Sequence, residues 1–222
     1  MTDQNVNSNS DKVWLASYPR SGNTLLRMLL KEKFGVSTCS VYEGESFDHT
    51  PGLTALIGHV KEDDLKSEPR RFIKTHENLG DDSPAIYIIR DGRASIISYY
   101  HYLRDVAISP TKLEDVVTGN VWIGSWSGHY KGWSPKTRPH TLLVRYEDLV
   151  AKPDVVLTEI ADFAELPLKE VGQLSKSFEQ LHDFYPQFFR AGSNDKALAE
   201  IEPYIDLFWE HHGDVMKELG YS

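Results

Sequence analysis

Cysteine is scarce in this sequence. Cys39 is the only cysteine among 222 residues, which excludes an internal disulfide and a cysteine-based zinc site. A chain with one thiol suits a reducing compartment, and we expect a cytoplasmic location. His211 and His212 are adjacent and would diverge on a helix, so they make a poor chelate and are interpreted as part of a solvated helix face. We therefore expect no metal.

Long apolar runs and an excess of positive charge are also missing. No stretch approaches the roughly 20 apolar residues that span a bilayer. The formal net charge is −9, which argues against broad binding of nucleic acid through its phosphates. The hydrophobic fraction of 40% is ordinary for one α/β domain, which we place at 12–222. The polar residues 1–11 predict a disordered tail that is neither a secretory signal nor an anchor.

The most informative segment that is present covers 14–30, W-L-A-S-Y-P-R-S-G-N-T-L-L-R-M-L-L. An apolar run, a polar turn and a return to helical spacing predict a strand, a loop and a helix. The loop offers backbone N–H groups, the hydroxyls of Ser21 and Thr24 and the Arg20 guanidinium at a helix N-terminus, where an anion is stabilised. An ordinary capped turn is the alternative. Because Gly22 is the single loop glycine and no lysine precedes Thr24, the motif for Mg²⁺-dependent NTP hydrolysis is absent.

Two further segments place polar groups at predicted strand ends. In 86–100, I-Y-I-I-R-D-G-R-A-S-I-I-S-Y-Y, a buried strand ends at Arg90 and a helix brings Ser98 back towards it. An Arg and a Ser so placed can share one phosphate. In 71–76, R-F-I-K-T-H, Lys74 and His76 alternate onto one side if the strand continues that far. A base and a cation of this kind suit group transfer to a hydroxyl.

A third segment, 141–166, predicts another strand followed by a helix. Thr141 to Arg145 is the strand, 147–149 its exit, and an amphipathic helix starts near Asp154. The residues of this helix that the periodicity turns towards the core are Val155, Leu157, Ile160 and Phe163.

Together these ordered segments resemble the sulfotransferases that use 3′-phosphoadenosine 5′-phosphosulfate (PAPS). In that family a Lys-Thr-His triplet similar to 74–76 carries the base, so the resemblance makes His76 the general base. It makes Arg20 and Lys74 the cations at the moving sulfuryl group and the 5′-phosphate leaving oxygen. Arg90 and Ser98, eight residues apart, would bind the 3′-phosphate and orient the donor.

The resemblance also implies a wider set of nucleotide contacts. Leu25 stands where many members have an adenine-stacking Trp, and Arg20 stands where a Lys is commoner. Ala191 replaces a Lys of the C-terminal element that closes over the 3′-phosphate. The implied PAPS-binding residues are Arg20, Ser21, Gly22, Asn23, Thr24, Leu25, Arg90, Ser98, Tyr146, Ser177, Phe178, Arg190, Ala191 and Gly192, with Tyr146 and Phe178 near adenine. The 122–133 stretch, W-I-G-S-W-S-G-H-Y-K-G-W, is similar to a family segment that braces the acceptor side, with His129 structural.

The predicted fold is α/β, a P-loop-like three-layer sandwich whose central parallel sheet is flanked by helices. Its strands lie near 13–17, 72–75, 86–90 and 142–146. The polar, turn-rich 37–69 region is expected to border the acceptor pocket and to be mobile. Five aromatic residues either line an acceptor cleft or pack in the core: Tyr99, Tyr100, Tyr102, Trp122 and Tyr130.

The predicted function is transfer of the sulfuryl group of PAPS to an acceptor hydroxyl or amine, with release of PAP. The acceptor could be a small molecule, a natural product, a glycan or a lipid, and the sequence does not indicate the oligomeric state. Two alternatives remain open. One is a nucleotide-dependent kinase of the same fold, such as an adenylylsulfate or nucleoside kinase, which would need Mg²⁺ and a triphosphate. The other is a non-catalytic PAP-binding protein.

Overall fold

Five parallel strands form the centre of the computed structural model, which describes residues 11–42, 51–78, 80–166 and 194–221. The strand order across the sheet is β2-β3-β1-β4-β5, and every pairing is parallel. The strands are β1 (Lys12–Ser17), β2 (Thr38–Ser40), β3 (Arg71–Thr75), β4 (Ala85–Ile89) and β5 (Thr141–Arg145).

Helices cover both faces of this sheet. They are α1 (Asn23–Phe34), α2 (Pro51–Leu56), α3 (Gly92–Asp105), α4 (Leu113–Thr118), α5 (Trp126–Trp133), α6 (Tyr146–Ala151), α7 (Pro153–Ala164), α8 (Asn194–Ile201) and α9 (Ile205–Glu218), with short 3₁₀ turns at Glu62–Leu65 and Glu202–Tyr204. In the part of the chain described, no helix is both long enough and apolar enough to cross a bilayer.

The alternation of side chains along the buried strands creates two apolar layers. Val13 and Leu15 of β1 point to the layer shared with α1 and α7, whereas Trp14 and Ala16 point to the layer shared with α3, α5 and α9. A strand covered on both faces must be apolar at successive positions, which explains the continuous W-L-A run. Each fully buried large apolar side chain contributes about 1.5–3 kcal/mol, so these layers stabilise the sheet that carries the site.

The sheet order creates a crevice at the carboxyl ends of the strands. From β1 the chain proceeds outwards to β2, returns through β3 and then continues on the other side of β1 with β4. Ligands of such sheets bind where the order reverses. Because the strands are parallel, the residues that follow Ser17, Ser40, Thr75, Ile89 and Arg145 all emerge at this edge.

The observed architecture confirms the predicted α/β fold and corrects several local assignments. The four predicted strands are present with bounds shifted by one residue, and Tyr146 begins helix α6 instead of ending a strand. In α7, Leu157, Ile160 and Phe163 pack in or against the core as predicted, whereas Val155 is 54% exposed and Val156 is buried in its place. Within 37–69, the described residues include β2, α2 and a 3₁₀ turn, so this region carries more regular structure than its composition indicated.

Candidate active site

The loop between β1 and α1 has a left-handed backbone at two positions. Arg20 has φ 67° and Gly22 has φ 107°, and the Ser21 N–H donates to the Tyr18 carbonyl over 3.3 Å. A non-glycine residue in this region stores strain of about 1–3 kcal/mol, a cost typical of functional sites. Within the described ranges, no side chain caps the helix that starts at Asn23. Its first N–H groups are therefore suited to an anion.

The ring of Tyr146 supports this loop from the side of β5. A Cβ atom built on Gly22 would stand 2.5 Å from Tyr146 Cδ2, so the ring occupies the space that any side chain would need. The Arg90 guanidinium lies 4.5 Å from the centroid of the same ring. Tyr146 thus joins the loop to Arg90, and its predicted contact with adenine remains a prediction.

We expect Gly22→Ala to destabilise the protein strongly. The new methyl group would collide with Tyr146, and alanine would be strained at φ 107°. Backbone strain and overpacking together should lower the free energy of unfolding by about 2–4 kcal/mol in denaturant titrations. Gly80→Ala is the matched control, because Gly80 has φ 64° and open space around its Cα. Equal losses in the two variants would show that packing against Tyr146 is unimportant.

Three of the predicted anion-binding residues lie together at this edge. Arg20 Nε donates to Ser98 Oγ over 3.2 Å, and Arg90 Nη1 donates to the Arg20 carbonyl over 3.4 Å. The buried Nε of Arg90 has no hydrogen-bond partner among the described residues. A buried guanidinium N–H without an acceptor is costly, and a phosphate oxygen would satisfy it.

The other loop residues face the protein interior to different degrees. Asn23 donates to the Leu15 carbonyl over 2.8 Å, so its side chain ties the loop to β1. The buried Ser21 hydroxyl lies 3.3 Å from that of Ser95. Leu25 is only 7% exposed and belongs to the core beside α1. Thr24 is half-buried. The buried Oδ1 of Asn23 has no hydrogen-bond partner among the described residues. Contacts of these residues with a nucleotide remain predictions.

His76 follows β3 directly and lies beside the end of β1. Its Nδ1 is 2.7 Å from the Ser17 carbonyl oxygen. A carbonyl only accepts, so Nδ1 carries the hydrogen and Nε2 carries the lone pair. Among the described residues Nε2 has no hydrogen-bond partner. The imidazole is therefore oriented by one nitrogen and available as a base through the other.

The surroundings of His76 keep its ring neutral. Burial lowers its pKa well below 6.5, and the positive charges of Lys74 and Arg20 act in the same direction. The hydrogen bond to Ser17 opposes them in part. The effect of both cations on this imidazole shows that Arg20, Lys74 and His76 lie near one another at this edge. A neutral base near two cations is suited to take a proton from an acceptor beside a developing negative charge.

His129 of α5 holds the backbone of His76. Its Nε2 lies 2.9 Å from the His76 carbonyl oxygen, to which it donates, and its Nδ1 accepts from the Tyr87 hydroxyl over 2.8 Å. Burial lowers the pKa of His129 to about 4. Both of its ring nitrogens are occupied, so it serves as a support for His76 and not as a second base.

Tyr42, which the sequence did not indicate, also touches His76. It follows the three-residue strand β2 and its hydroxyl accepts from the His76 backbone N–H over 2.9 Å. Its ring stacks on the imidazole with centroids 5.9 Å apart and an interplanar angle of 22°. The ring of Trp122, which is 68% exposed, stands edge-on to Tyr42 at 5.7 Å. These two aromatic rings form a partly exposed surface beside the imidazole.

The other aromatic and histidine candidates lie in different environments in the structure. Tyr99 and Tyr130 are buried core residues, and the Tyr130 hydroxyl donates to Glu218. The Arg20 guanidinium carbon lies 5.7 Å from the ring centroid of Tyr102. The guanidinium carbon of Arg104 lies 5.5 Å from the ring centroid of Tyr100. His212 is not on a solvated face as predicted.

His212 is only 1% exposed, and its imidazole bonds to the Ser127 hydroxyl and the Val117 carbonyl. Phe208, Val215 and Met216 share one face of α9 with His212, and their burial brings that face into the core. No group of three or more side chains in the described ranges could hold a metal ion. The predicted contacts of Ser177, Phe178, Arg190, Ala191 and Gly192 lie outside the described residues.

Comparisons of the sequence with a family model and with known proteins agree with one another. Residues 10–207 match the family model described as the sulfotransferase domain. Sulfotransferase 1B1 of Canis lupus familiaris is 29% identical over 191 residues, covering 75% of this chain and 63% of the relative. Sulfotransferase 1B1 of Mus musculus is 32% identical over 182 residues, covering 70% and 59%. The chain thus spans about three fifths of the length of these relatives.

A solved structure shares the fold. The mouse sulfotransferase SULT7A1, crystallised in complex with PAP, superimposes with a TM-score of 0.68 at 22% identity, and the match covers 95% of this chain and 88% of that one. At this level of identity the likeness establishes the arrangement of the sheet and helices.

Proposed function

Because the chain belongs to the sulfotransferase family, we propose that it transfers the sulfuryl group of PAPS to an acceptor hydroxyl or amine, with release of PAP. The observation that carries this proposal is the arrangement at His76. The Ser17 carbonyl orients a neutral imidazole so that Nε2 carries its lone pair, and the cations Lys74 and Arg20 are close enough to act electrostatically on this ring. This is the combination that sulfuryl transfer needs.

The anion-binding groups of the loop suit the donor. One sheet edge carries the start of α1, the buried Nε of Arg90 and the hydroxyl of Ser98 beside Arg20. The described residues supply neither a side-chain cap for α1 nor an acceptor for Arg90 Nε. We propose that Arg90 and Ser98 hold the 3′-phosphate, while the N–H groups of α1 and Arg20 hold the 5′-phosphate. PAPS, when bound, supplies an activated sulfuryl group whose leaving atom is the 5′-phosphate oxygen of PAP.

The side chains divide the work of the transfer. His76 Nε2 takes the acceptor proton as the acceptor oxygen or nitrogen bonds to sulfur and the bond from sulfur to the leaving oxygen breaks. Lys74 and Arg20 offset the negative charge that grows on the sulfuryl and leaving oxygens. His129 and Ser17 keep the imidazole in place through the His76 carbonyl and Nδ1.

The acceptor side favours a small molecule with an apolar face. Tyr42 stacks on the base and the exposed Trp122 stands edge-on to Tyr42. Exposed aromatic side chains at a site are suited to apolar or planar ligands. We propose a small-molecule acceptor in preference to a glycan or a lipid.

The cellular location is a separate part of the proposal. The single buried Cys39 supports a reducing, cytoplasmic setting.

The pH dependence of catalysis should follow the depressed pKa of His76. Only the neutral imidazole acts as a base, so activity is lost as the pH falls through its pKa. Because that pKa lies well below 6.5 in the free protein, kcat/KM should stay level from about pH 8 down to the ordinary histidine range near 6.5 and fall only below it. Half-maximal kcat/KM at or above pH 6.5 would contradict a base in this environment.

The proposal is tested by incubating the purified protein with PAPS and a panel of phenols, alcohols and amines. Mass spectrometry of the acceptors and chromatography of PAP should show sulfated product and PAP in equal amounts. A parallel arm with ATP and Mg²⁺ tests the kinase alternative, which predicts phosphorylated product instead. Binding of PAP without turnover on the whole panel would favour the non-catalytic alternative.

A further inference from the structure

Tyr42 stands at the end of β2 in a backbone arrangement that fixes its direction. The Val41 N–H donates to the Lys74 carbonyl over 3.1 Å, which extends the pairing of β2 with β3 by one residue. The Tyr42 N–H then donates to the Ser40 hydroxyl over 3.2 Å, closing a tight turn. The side chain is thereby directed at the residues that follow β3.

Three separate contacts join Tyr42 to the groups that perform the transfer. Its hydroxyl accepts from the His76 backbone N–H over 2.9 Å. Its ring stacks on the His76 imidazole at 5.9 Å. Lys74 Nζ lies 5.4 Å from the centroid of the same ring, within the range of a cation–π contact. A residue that only filled space in the core would not need a hydroxyl, a ring face and a cation at these positions.

On these contacts we propose that Tyr42 is a positioning residue for catalysis, which fixes the His76 backbone through its hydroxyl and shields the imidazole and Lys74 with its ring. The inference rests on the proposed function of His76 and Lys74. Ser17 and His129 hold His76 from the side of the sheet and α5, and Tyr42 holds it from the side of β2. The base is thus held from two directions.

The ring of Tyr42 also affects the protonation of His76. The titratable and charged groups that face the imidazole are Lys74, Arg20, His129 and Tyr42 itself. Removing the ring would admit water to the imidazole face and release Lys74 from its contact, and both changes favour the protonated form. Removing only the hydroxyl would leave the face covered. The two parts of the side chain therefore have separable effects.

The test compares Tyr42→Leu and Tyr42→Phe with Tyr204→Leu, since Tyr204 is a half-buried tyrosine without ring contacts or hydrogen bonds to His76 or Lys74. The pKa of the His76 imidazole is measured by NMR titration of ring-labelled protein. It should rise towards the ordinary value of about 6.5 in Tyr42→Leu and stay near the wild-type value in Tyr42→Phe and Tyr204→Leu. Since the measurement needs no turnover, it stands even if sulfuryl transfer fails.

Kinetics give the second readout. Tyr42→Phe loses one hydrogen bond to the base, and its kcat should fall roughly two- to tenfold with PAP affinity unchanged. Tyr204→Phe should leave kcat unaltered. An unchanged His76 pKa in Tyr42→Leu, an equal rise in Tyr204→Leu, or a Tyr42→Phe variant with wild-type kcat would overturn the proposal. If Tyr42→Leu does not fold, the Tyr42→Phe kinetics decide it alone. Failure of the wild-type protein to bind PAP would instead overturn the proposed function.

Discussion

Replacement of His76 by alanine is expected to lower kcat by about 10²- to 10⁴-fold, the range that a general base contributes. The physical reason is the fixed tautomer of the imidazole. Its Nδ1–H donates to the Ser17 carbonyl, so the available lone pair is on Nε2. Lys74 and Arg20 act electrostatically on the same ring. No other described histidine near this edge can replace it, because both nitrogens of His129 are occupied.

The affinity for PAP separates this role from a structural one. His76 has no assigned contact with the nucleotide, so calorimetry should give the same dissociation constant for wild type and His76→Ala. His211→Ala is the matched control, since His211 is an exposed histidine of α9 and its removal should change neither quantity. A parallel loss of turnover and of PAP affinity in His76→Ala would show that the residue maintains the nucleotide site and is not the base.

Replacement of Lys74 by methionine is expected to lower kcat by about 10²- to 10³-fold, as for other buried groups that stabilise transition-state charge. Lys74 is only 9% exposed, so water cannot easily substitute for its ammonium. Methionine keeps the length of the side chain and removes the charge. The loss should appear in kcat more than in KM for PAPS, because the charge that Lys74 offsets is largest in the transition state.

A second readout of Lys74→Met comes from its effect on His76. The positive charge of Lys74 contributes to the lowered pKa of the imidazole, so its removal should raise that pKa and move the acid limb of kcat/KM to higher pH. Lys217→Met removes an exposed lysine of α9 and should move neither kcat nor the limb. An acid limb that stays in place in Lys74→Met would mean that Lys74 and the base do not share one site.

The sequence was sufficient for the features that rest on continuous patterns. The apolar runs of β1 and β4 are long enough to indicate buried parallel strands, and the polar residues at their ends were correctly assigned to one sheet edge. Parallel pairing brings such ends together whatever the intervening loops do. The convergence of Arg20, Lys74 and His76 was therefore predictable, although the predicted roles of these residues remain to be measured.

Features that depend on short elements were missed. Strand β2 has three residues, T-C-S, which show no apolar run, so neither the strand nor the direction of Tyr42 could be inferred. The burial of His212 likewise follows from the position of α9 against α4 and α5, where Val117 and Ser127 supply its partners. Val155 is exposed because the buried face of α7 follows Val156, Ile160 and Ala164 at intervals of four residues, and the small alanines made this face hard to recognise.

The contact between Ser98 and Arg20 shows how three-dimensional detail refines a motif. The spacing of Arg90 and Ser98 indicated a shared phosphate. In the structure Ser98 bonds to Arg20, and Arg90 bonds to the carbonyl of Arg20, so the three residues form one connected group. The spacing along α3 placed Ser98 at the right edge, but it did not indicate the contact with Arg20, whose backbone is left-handed.

The most direct test of the central claim is a calorimetric titration of the protein with PAP, beside ATP with Mg²⁺, in wild type and in Arg90→Ala. The account predicts that PAP binds, that ATP with Mg²⁺ competes poorly, and that Arg90→Ala weakens PAP by about ten- to a hundredfold, as for lost hydrogen bonds to a charged group. Binding of ATP with Mg²⁺ together with indifference to PAP would contradict the account and favour a kinase.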